Sequence, residues 1–404
     1  GVNMIRAALL CLVCASPAIA ADWPQVLGPS RDGRSSETVK PWTGNLKPLW
    51  SLPIGPAHSS PVVSQRLVIA FFETKGKNLD TLAAYDIVTG EKKWEQSYER
   101  EEFEPPFGYG PRGTPVIDGD GVYTLGGTGV LARWDFKTGQ VTWKVDTLKQ
   151  FKVENLPFGV SGSPLVHDGK VFVNVGGKTA GLVAFDAATG KTVWQKTDDG
   201  MSYSSPIVCD KNGKKSIIFL TKQHLIAVDP ASGETIWKEK FQDQLSESAT
   251  TPVVSGNMLI GSSVTLGSMA LDLESTPPKP LWRKRELNCY FSTPVAVGDD
   301  LYMLNGILKI TPAISLRCVD GKTGQIKWEK PSVGKYHAAI IRTVDDKLLM
   351  LDDNGDLSLF NANGKEYQEL AKSKVCGPTW AHPALSNGIV VLRDEKKLIA
   401  INLK

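Results

Sequence analysis

The sequence predicts an all-β fold: an eight-bladed β-propeller of four-stranded antiparallel blades, closed by N- and C-terminal strands that share one blade. Three observations carry it. An alternating strand, Asp-x-x-Thr-Gly and a strand ending in Trp recur along the chain. A hydroxyl residue followed by Pro and a β-branched strand precedes most copies. The last copy is divided between the two ends of the sequence.

The phrase is clearest at Leu82–Trp94 (LAAYDIVTGEKKW), Leu131–Trp143 (LARWDFKTGQVTW) and Leu182–Trp194 (LVAFDAATGKTVW). It recurs at Leu225–Trp237 and Leu316–Trp328, stretched by prolines at Met269–Trp282 and decayed at Leu357–Leu370. With the divided copy this makes eight units of about 48 residues, the length of a four-stranded blade. Asp86, Asp135, Asp186, Asp229, Asp272 and Asp320 are expected to accept backbone N–H bonds in the turns, and the Gly to take a positive φ. Six carboxylates at one structural position are turn caps, not a catalytic set. Trp50, Trp94, Trp143, Trp194, Trp237, Trp282 and Trp328 each have about 200 Å² to bury, and packing on a neighbouring blade would bury it.

The second signature reads Ser60-Pro61, Thr114-Pro115, Ser163-Pro164, Ser205-Pro206, Thr251-Pro252 and Thr293-Pro294, with Ala338-Ala339 and His382-Pro383 as variants. Proline fits a strand start, where no ladder donor is lost. This strand is expected innermost and the Trp strand outermost. In the divided unit, Leu398–Asn402 would supply the third strand and Leu46–Trp50 the fourth, leaving the ring without an open edge.

The 404 residues are 41% hydrophobic and 22% charged, an ordinary globular balance. A net charge of +3 without a basic run excludes a phosphate-tracking surface, so no nucleic-acid partner is expected. Arg6, the apolar run Ala7–Ala15 and Ala18-Ile19-Ala20 read as a secretory signal peptide over 1–20, with one propeller domain over 21–404. No later stretch is apolar for long enough to be a transmembrane helix, and an exported, soluble, periplasmic or extracellular monomer is expected. Cys209, Cys289, Cys318 and Cys376 allow three disulfide pairings, and their spacing is not that of a zinc site.

The A-x-D-x-x-T-G-x-x-x-W phrase resembles the tryptophan-docking motif of the pyrroloquinoline quinone (PQQ) propeller superfamily, over nearly the whole sequence after the leader. Asp22-Trp23-Pro24-Gln25 and Gly28-Pro29-Ser30-Arg31-Asp32-Gly33 resemble the start of exported bacterial PQQ-like repeat proteins. The superfamily includes quinoprotein alcohol dehydrogenases and the propeller lipoprotein of the outer-membrane β-barrel assembly machinery. The resemblance implies a fold more than an activity. The dehydrogenases use adjacent disulfide-bonded cysteines over the quinone, carboxylate and amide ligands to Ca²⁺, and an Asp base. No two cysteines are adjacent here and none of those residues is matched by motif. No cofactor is therefore expected, and PQQ with calcium has no motif behind it. The assembly lipoproteins match better in length and blade count, but this sequence lacks their lipid-attachment cysteine.

Propellers bind on the face made by the loops leading into the innermost strands. Two of these are long: Glu95–Arg112, which is acidic and contains Tyr109, and Leu148–Gly162. His58, His337 and His382 all precede innermost strands, in blades one, seven and eight, which adjoin in the closed ring. Three imidazoles at a channel mouth could bind a metal or an anionic ligand. They lie three, two and one residues before the aligned Pro position, so strand alternation is expected to send them to different faces. His167 and His224 fall at turn-like positions. Arg112, Phe158, Tyr203, Glu247, Tyr290, Tyr336 and Trp380 complete a polar, aromatic-rimmed funnel suited to a small ligand or a peptide. It contains no Ser–His–Asp set and no phosphate-cradling loop. The function expected is an exported, non-catalytic binding or scaffold protein with a protein partner or small ligand on the funnel. The alternatives are a PQQ- or metal-dependent oxidoreductase and a carbohydrate-binding propeller.

Overall fold

A computed structural model describes residues 21–306 and 312–404, so the leader read over 1–20 lies outside the described residues. Eight separate four-stranded sheets follow one another along the chain. Blade 1 runs from the axis outward as Val62–Ser64, Leu67–Thr74, Leu79–Asp86 and Lys92–Glu99, all antiparallel. Blades 2 to 7 repeat this order. Blade 8 takes Ala384–Ser386, Ile389–Arg393 and Lys397–Asn402 from one end of the chain. Its outermost strand, Pro48–Pro53, comes from the other, with Trp50 opposite Ala400 and Leu52 opposite Leu398.

The core lies between blades rather than within them. Phe71 and Leu82 of blade 1 pack with Val122 and Trp134 of blade 2, and similar apolar clusters fill each remaining interface. Middle strands are therefore covered on both faces and read as continuous apolar runs such as Leu82-Ala83-Ala84. The phrase closes six of the interfaces from outside. The Trp50 indole donates to the Ile87 carbonyl of the next blade at 2.9 Å, and Trp143 donates to Ala187 at 3.0 Å. Trp94, Trp194, Trp282 and Trp328 repeat the contact. Gly90 has φ +72°, and a Cβ there would stand 2.8 Å from the Trp50 ring. That glycine thus serves the turn and also makes room for the preceding blade's indole. Asp86 Oδ1 accepts from the Val88 and Thr89 amides, and Asp135 and Asp229 do the same in their turns. The Asp135 and Asp186 carboxyls lie below the usual range, first through the hydroxyls of Thr138 and Thr189.

Nearer the axis, the hydroxyl–Pro signature forms a second belt. The Ser60 amide donates to Thr114 Oγ1, Thr114 to Ser163 Oγ, Ser163 to Ser205 Oγ and Thr251 to Thr293 Oγ1. The His382 amide donates to Ser60 Oγ and carries the belt across the closure. Blade 7, which has Ala338 in place of a hydroxyl, bonds through its own amide to Ser292 Oγ of blade 6. Proline has no amide of its own, so the preceding N–H is the first donor available, and a neighbouring hydroxyl takes it.

Residues 22–39 form a strap across one end of the channel. Trp23 bridges Val63 of blade 1, and the Pro24 carbonyl accepts from Ile117 of blade 2. The buried Arg31 guanidinium donates to the Pro164 and Pro206 carbonyls of blades 3 and 4. Gly33 and Ser35 exchange backbone bonds with Arg342 of blade 7, and Glu37 accepts from Asn387 and Gly388 of blade 8. The four cysteines among the described residues, permitted to pair by their even number, are free thiols; three are buried and Cys376 half-buried.

Deleting Leu398–Lys404 removes the third strand of blade 8. Leu398, Ile399, Ile401 and Leu403 are buried, each worth about 1.5–3 kcal/mol. The expected outcome is a large fall in the thermal unfolding midpoint of the whole wheel. An unchanged midpoint would show that closure carries no stability.

Candidate functional site: a blind aromatic funnel

The inner strands and the strap enclose a cavity of about 1050 Å³. Its wall follows from strand periodicity, because residues two apart share a face. One tier is the belt itself: Ser60, Thr114, Ser163, Ser205, Thr251, Thr293 and His382. The tier above lies two residues earlier in each blade: His58, Arg112, Ser161, Tyr203, Ala249, Phe291, Tyr336 and Trp380. Phe158, Glu247 and Tyr290 widen the mouth. Val26 and Leu27 of the strap also line the cavity and form its floor, so the channel is closed at that end.

Ten of the eleven funnel residues read from the sequence line this cavity. Tyr109 does not. It sits between Gly108 and Gly110, both at positive φ, and is 47% exposed. A Cβ at Gly110 would lie 2.0 Å from the Pro56 carbonyl oxygen, so the turn hugs blade 1 closely there. Phe107 lines the mouth instead. Sequence reasoning also missed Phe291, the belt hydroxyls and the strap. Periodicity held the signal for the first two: Phe291 lies at the same offset as His58 and Trp380.

The rings form two arcs. Phe107, Phe158 and Tyr203 are 6.1 and 5.7 Å apart in sequence, centroid to centroid. Tyr290 stacks on Phe291 at 3.8 Å, Phe291 on Trp380 at 5.3 Å, and Trp380 on His58 at 5.4 Å. The expected divergence of the three histidines does not hold, because all three line the cavity. His58 and His382 lie at offsets of equal parity and share a face. His337 reaches the cavity wall beside Ala338, where no belt hydroxyl stands, and its ring centroid is 5.1 Å from that of His382. Among the described residues no group of three or more His, Cys, Asp or Glu is arranged to hold a metal ion. His224 begins the strand His224–Val228 and bonds through Nδ1 to Asp199 at 2.6 Å; His167 ends the strand Leu165–His167.

Two loops place the mouth. Arg100, buried against Glu73 and Asp80, anchors the base of the first. At its tip the Phe107 carbonyl accepts from His58 Nε2 at 2.8 Å, and Arg112 donates to Pro106 at 2.9 Å. The second opens with the short helix Thr147–Phe151, capped by Asp146, and carries Phe158. Asp353 positions blade 7 by accepting from the amides of Lys335, Tyr336 and His337.

A family model described as outer membrane protein assembly factor BamB matches residues 43–145 and 78–330. The chain belongs to the BamB family. The outer membrane protein assembly factor BamB of Burkholderia pseudomallei (strain K96243) is 27% identical over 305 residues, 71% of this chain and 72% of that protein. The quinohemoprotein alcohol dehydrogenase ADH IIB of Pseudomonas putida is 34% identical over 96 residues, 22% of this chain. That match spans only 13% of the dehydrogenase's length. Among solved structures, BamB from Moraxella catarrhalis superposes with a TM-score of 0.64 at 16% identity, over 89% of this chain and 98% of that one. At that identity the likeness speaks for the fold alone.

The cavity in this BamB-family chain is lined by rings, hydroxyls and imidazoles. No cysteine lines it, and its one carboxylate, Glu247, accepts from the Tyr290 hydroxyl. The three histidines are held neutral. Burial, then the charges of Arg112 and Arg393, push His58 down to about 4 despite its bond to Phe107. Burial alone pushes His382 to about 4. Burial, then His382 and His58, push His337 well below the usual imidazole range.

A histidine whose pKa is lower folded than unfolded takes up its proton first in the unfolded chain. Its full stability is present above the unfolded value near 6.5 and is lost as pH falls from there to about 4. The loss is roughly 3 kcal/mol per histidine. The thermal midpoint is expected to fall between pH 7 and pH 4, and to fall less in a His58→Gln/His382→Gln variant. Parallel pH profiles would overturn this account.

Proposed function

We propose that this chain is an exported, non-catalytic scaffold that holds another protein on its funnel face. One observation carries the reading: a blind, aromatic-walled cavity whose mouth presents Phe107 and Tyr336, 71% and 39% exposed, to an incoming chain. Exposed aromatics around a concave, mostly apolar site are what a protein partner uses as anchors. Membership of a family described as an assembly factor supports a role in holding proteins rather than transforming a substrate. The funnel wall offers hydroxyls and neutral imidazoles but no carboxylate free to act as a base.

The test places a photo-crosslinking residue at Tyr336 on the mouth or at Leu281 on an exposed outer strand. A discrete protein adduct from Tyr336 and none from Leu281 is expected. Adducts of equal yield, or retention on polysaccharide instead, would overturn the funnel-face reading. Dye-linked alcohol oxidation on adding PQQ and Ca²⁺ would overturn the non-catalytic one. Export predicts that protein recovered from outside the cytoplasm begins at Ala21, and a first residue at Met4 would count against it.

A further inference from the structure

Three guanidinium groups surround the funnel, and among the described residues none of them forms an ion pair with a carboxylate. Arg112 lines the wall and donates only to the Pro106 and Gly108 carbonyls. Arg393 lies behind the wall near His58. It donates to the Gly55 and Asp394 carbonyls, and its second terminal nitrogen is buried without a partner. Arg31 lies beneath the floor, donating to Gln25 and to the carbonyls that follow Ser163 and Ser205. Burial pushes Arg31 down to about 9 and Arg112 and Arg393 to about 10, which still leaves all three charged at neutral pH.

Against this, the cavity wall carries one carboxylate, and Tyr290 occupies it. His337 is 3% exposed, and its Nε2 has no partner in the protein. The Ser292 hydroxyl accepts the Ala338 amide and stands 3.2 Å from His337 Nδ1. If the hydroxyl gives its proton to Nδ1, Nε2–H is left as a donor at the cavity wall. Uncompensated positive charge in a low-dielectric, aromatic-walled site favours an anion joined to an apolar, planar body. The floor decides its form. Val26 and Leu27 of the strap stand across one end of the channel, which favours a chain end over a segment threaded through it.

The geometry points to the funnel as a receptor for the C-terminus of a partner polypeptide, its terminal carboxylate directed to Arg112 and its last aromatic or apolar side chains against the ring arcs. This rests on the funnel being the binding face and adds the chemistry of what enters it. It differs from an edge-strand mode, in which the partner would pair with the outermost strands.

The experiment uses the whole protein and a dye-labelled hexapeptide ending in phenylalanine with a free carboxylate. The same peptide with a C-terminal amide and 3-phenylpropanoate as a free acid are the comparison probes. The carboxylate peptide is expected to bind saturably and the amide roughly tenfold or more weakly, as for loss of a charge-assisted bond. Arg112→Gln should bring the two affinities together, and Arg112→Lys should keep them apart. If Arg112 merely shaped the Pro106–Gly108 turn, its loss would weaken both peptides equally, which overturns the assignment. Equal binding of acid and amide by the unaltered protein also overturns it. So does 3-phenylpropanoate binding as tightly as the peptide, since the site would then take a small acid. A failure of every peptide alongside a persistent Tyr336 adduct would reject the C-terminus and leave the funnel face standing.

Discussion

Five innermost strands of this wheel begin with a backbone donor that goes to a side chain of another blade. The Pro that follows has no amide, and the preceding N–H points sideways to the next blade's hydroxyl, as Thr114 does to Ser163. A buried donor without a partner would cost about 1–3 kcal/mol. Neighbouring blades are therefore held at one spacing near the axis, while the Trp-to-carbonyl bonds hold them at the perimeter. Two belts at two radii fix both the separation and the tilt of adjacent sheets. The apolar clusters between blades then fill a gap whose width is already set.

The funnel is a by-product of this inner belt. Once the blades place their belt residues, six of them hydroxyls, at the same height, the residue two before each faces the same space. The upper tier can differ from blade to blade without disturbing the belt, because the belt uses the amides and hydroxyls of the lower tier while the upper tier lines the cavity with its side chains. That is why chemically unlike residues such as His58, Arg112, Ala249 and Trp380 stand at one structural position. The departures from the belt concentrate where the histidines lie. His382 replaces a hydroxyl while its amide still reaches Ser60, and Ala338 leaves the space beside which His337 lines the wall.

The wheel was legible because its repeating unit carries its own turn, its own indole and its own strand order. Trp50 near one end and Leu398–Asn402 at the other announced the shared blade by being the two missing halves of one phrase. Most of the funnel was legible for the same reason, since an aligned Pro gives every blade a common origin. What the repeat could not reveal lies outside its period. The strap over residues 22–39 occurs once, and its partners are backbone groups of almost every blade, which leave no pattern in side-chain identity. Tyr109 was misplaced because the path of its loop depends on close approaches at Gly108 and Gly110, which no spacing rule contains. Of the three histidines, His58 and His382 keep the alternation, while His337 departs from it and reaches the wall beside Ala338, where no hydroxyl stands.

The strap has a consequence for how the molecule is made. Residues near the start of the chain close contacts with Arg342 and Gly388, segments that emerge from the ribosome more than three hundred residues later. Such long-range pairings slow folding. Blades 1 to 6 can assemble in order, each on the last, and take residues 23–31 of the strap with them, but residues 33–37 and the final blade must wait for these late segments. A chain interrupted before that point is an open arc whose first and last blades both expose apolar faces. Strand Pro48–Pro53 stays unpaired until Lys397–Asn402 has been made, so its exposure to proteases ends only when blade 8 closes.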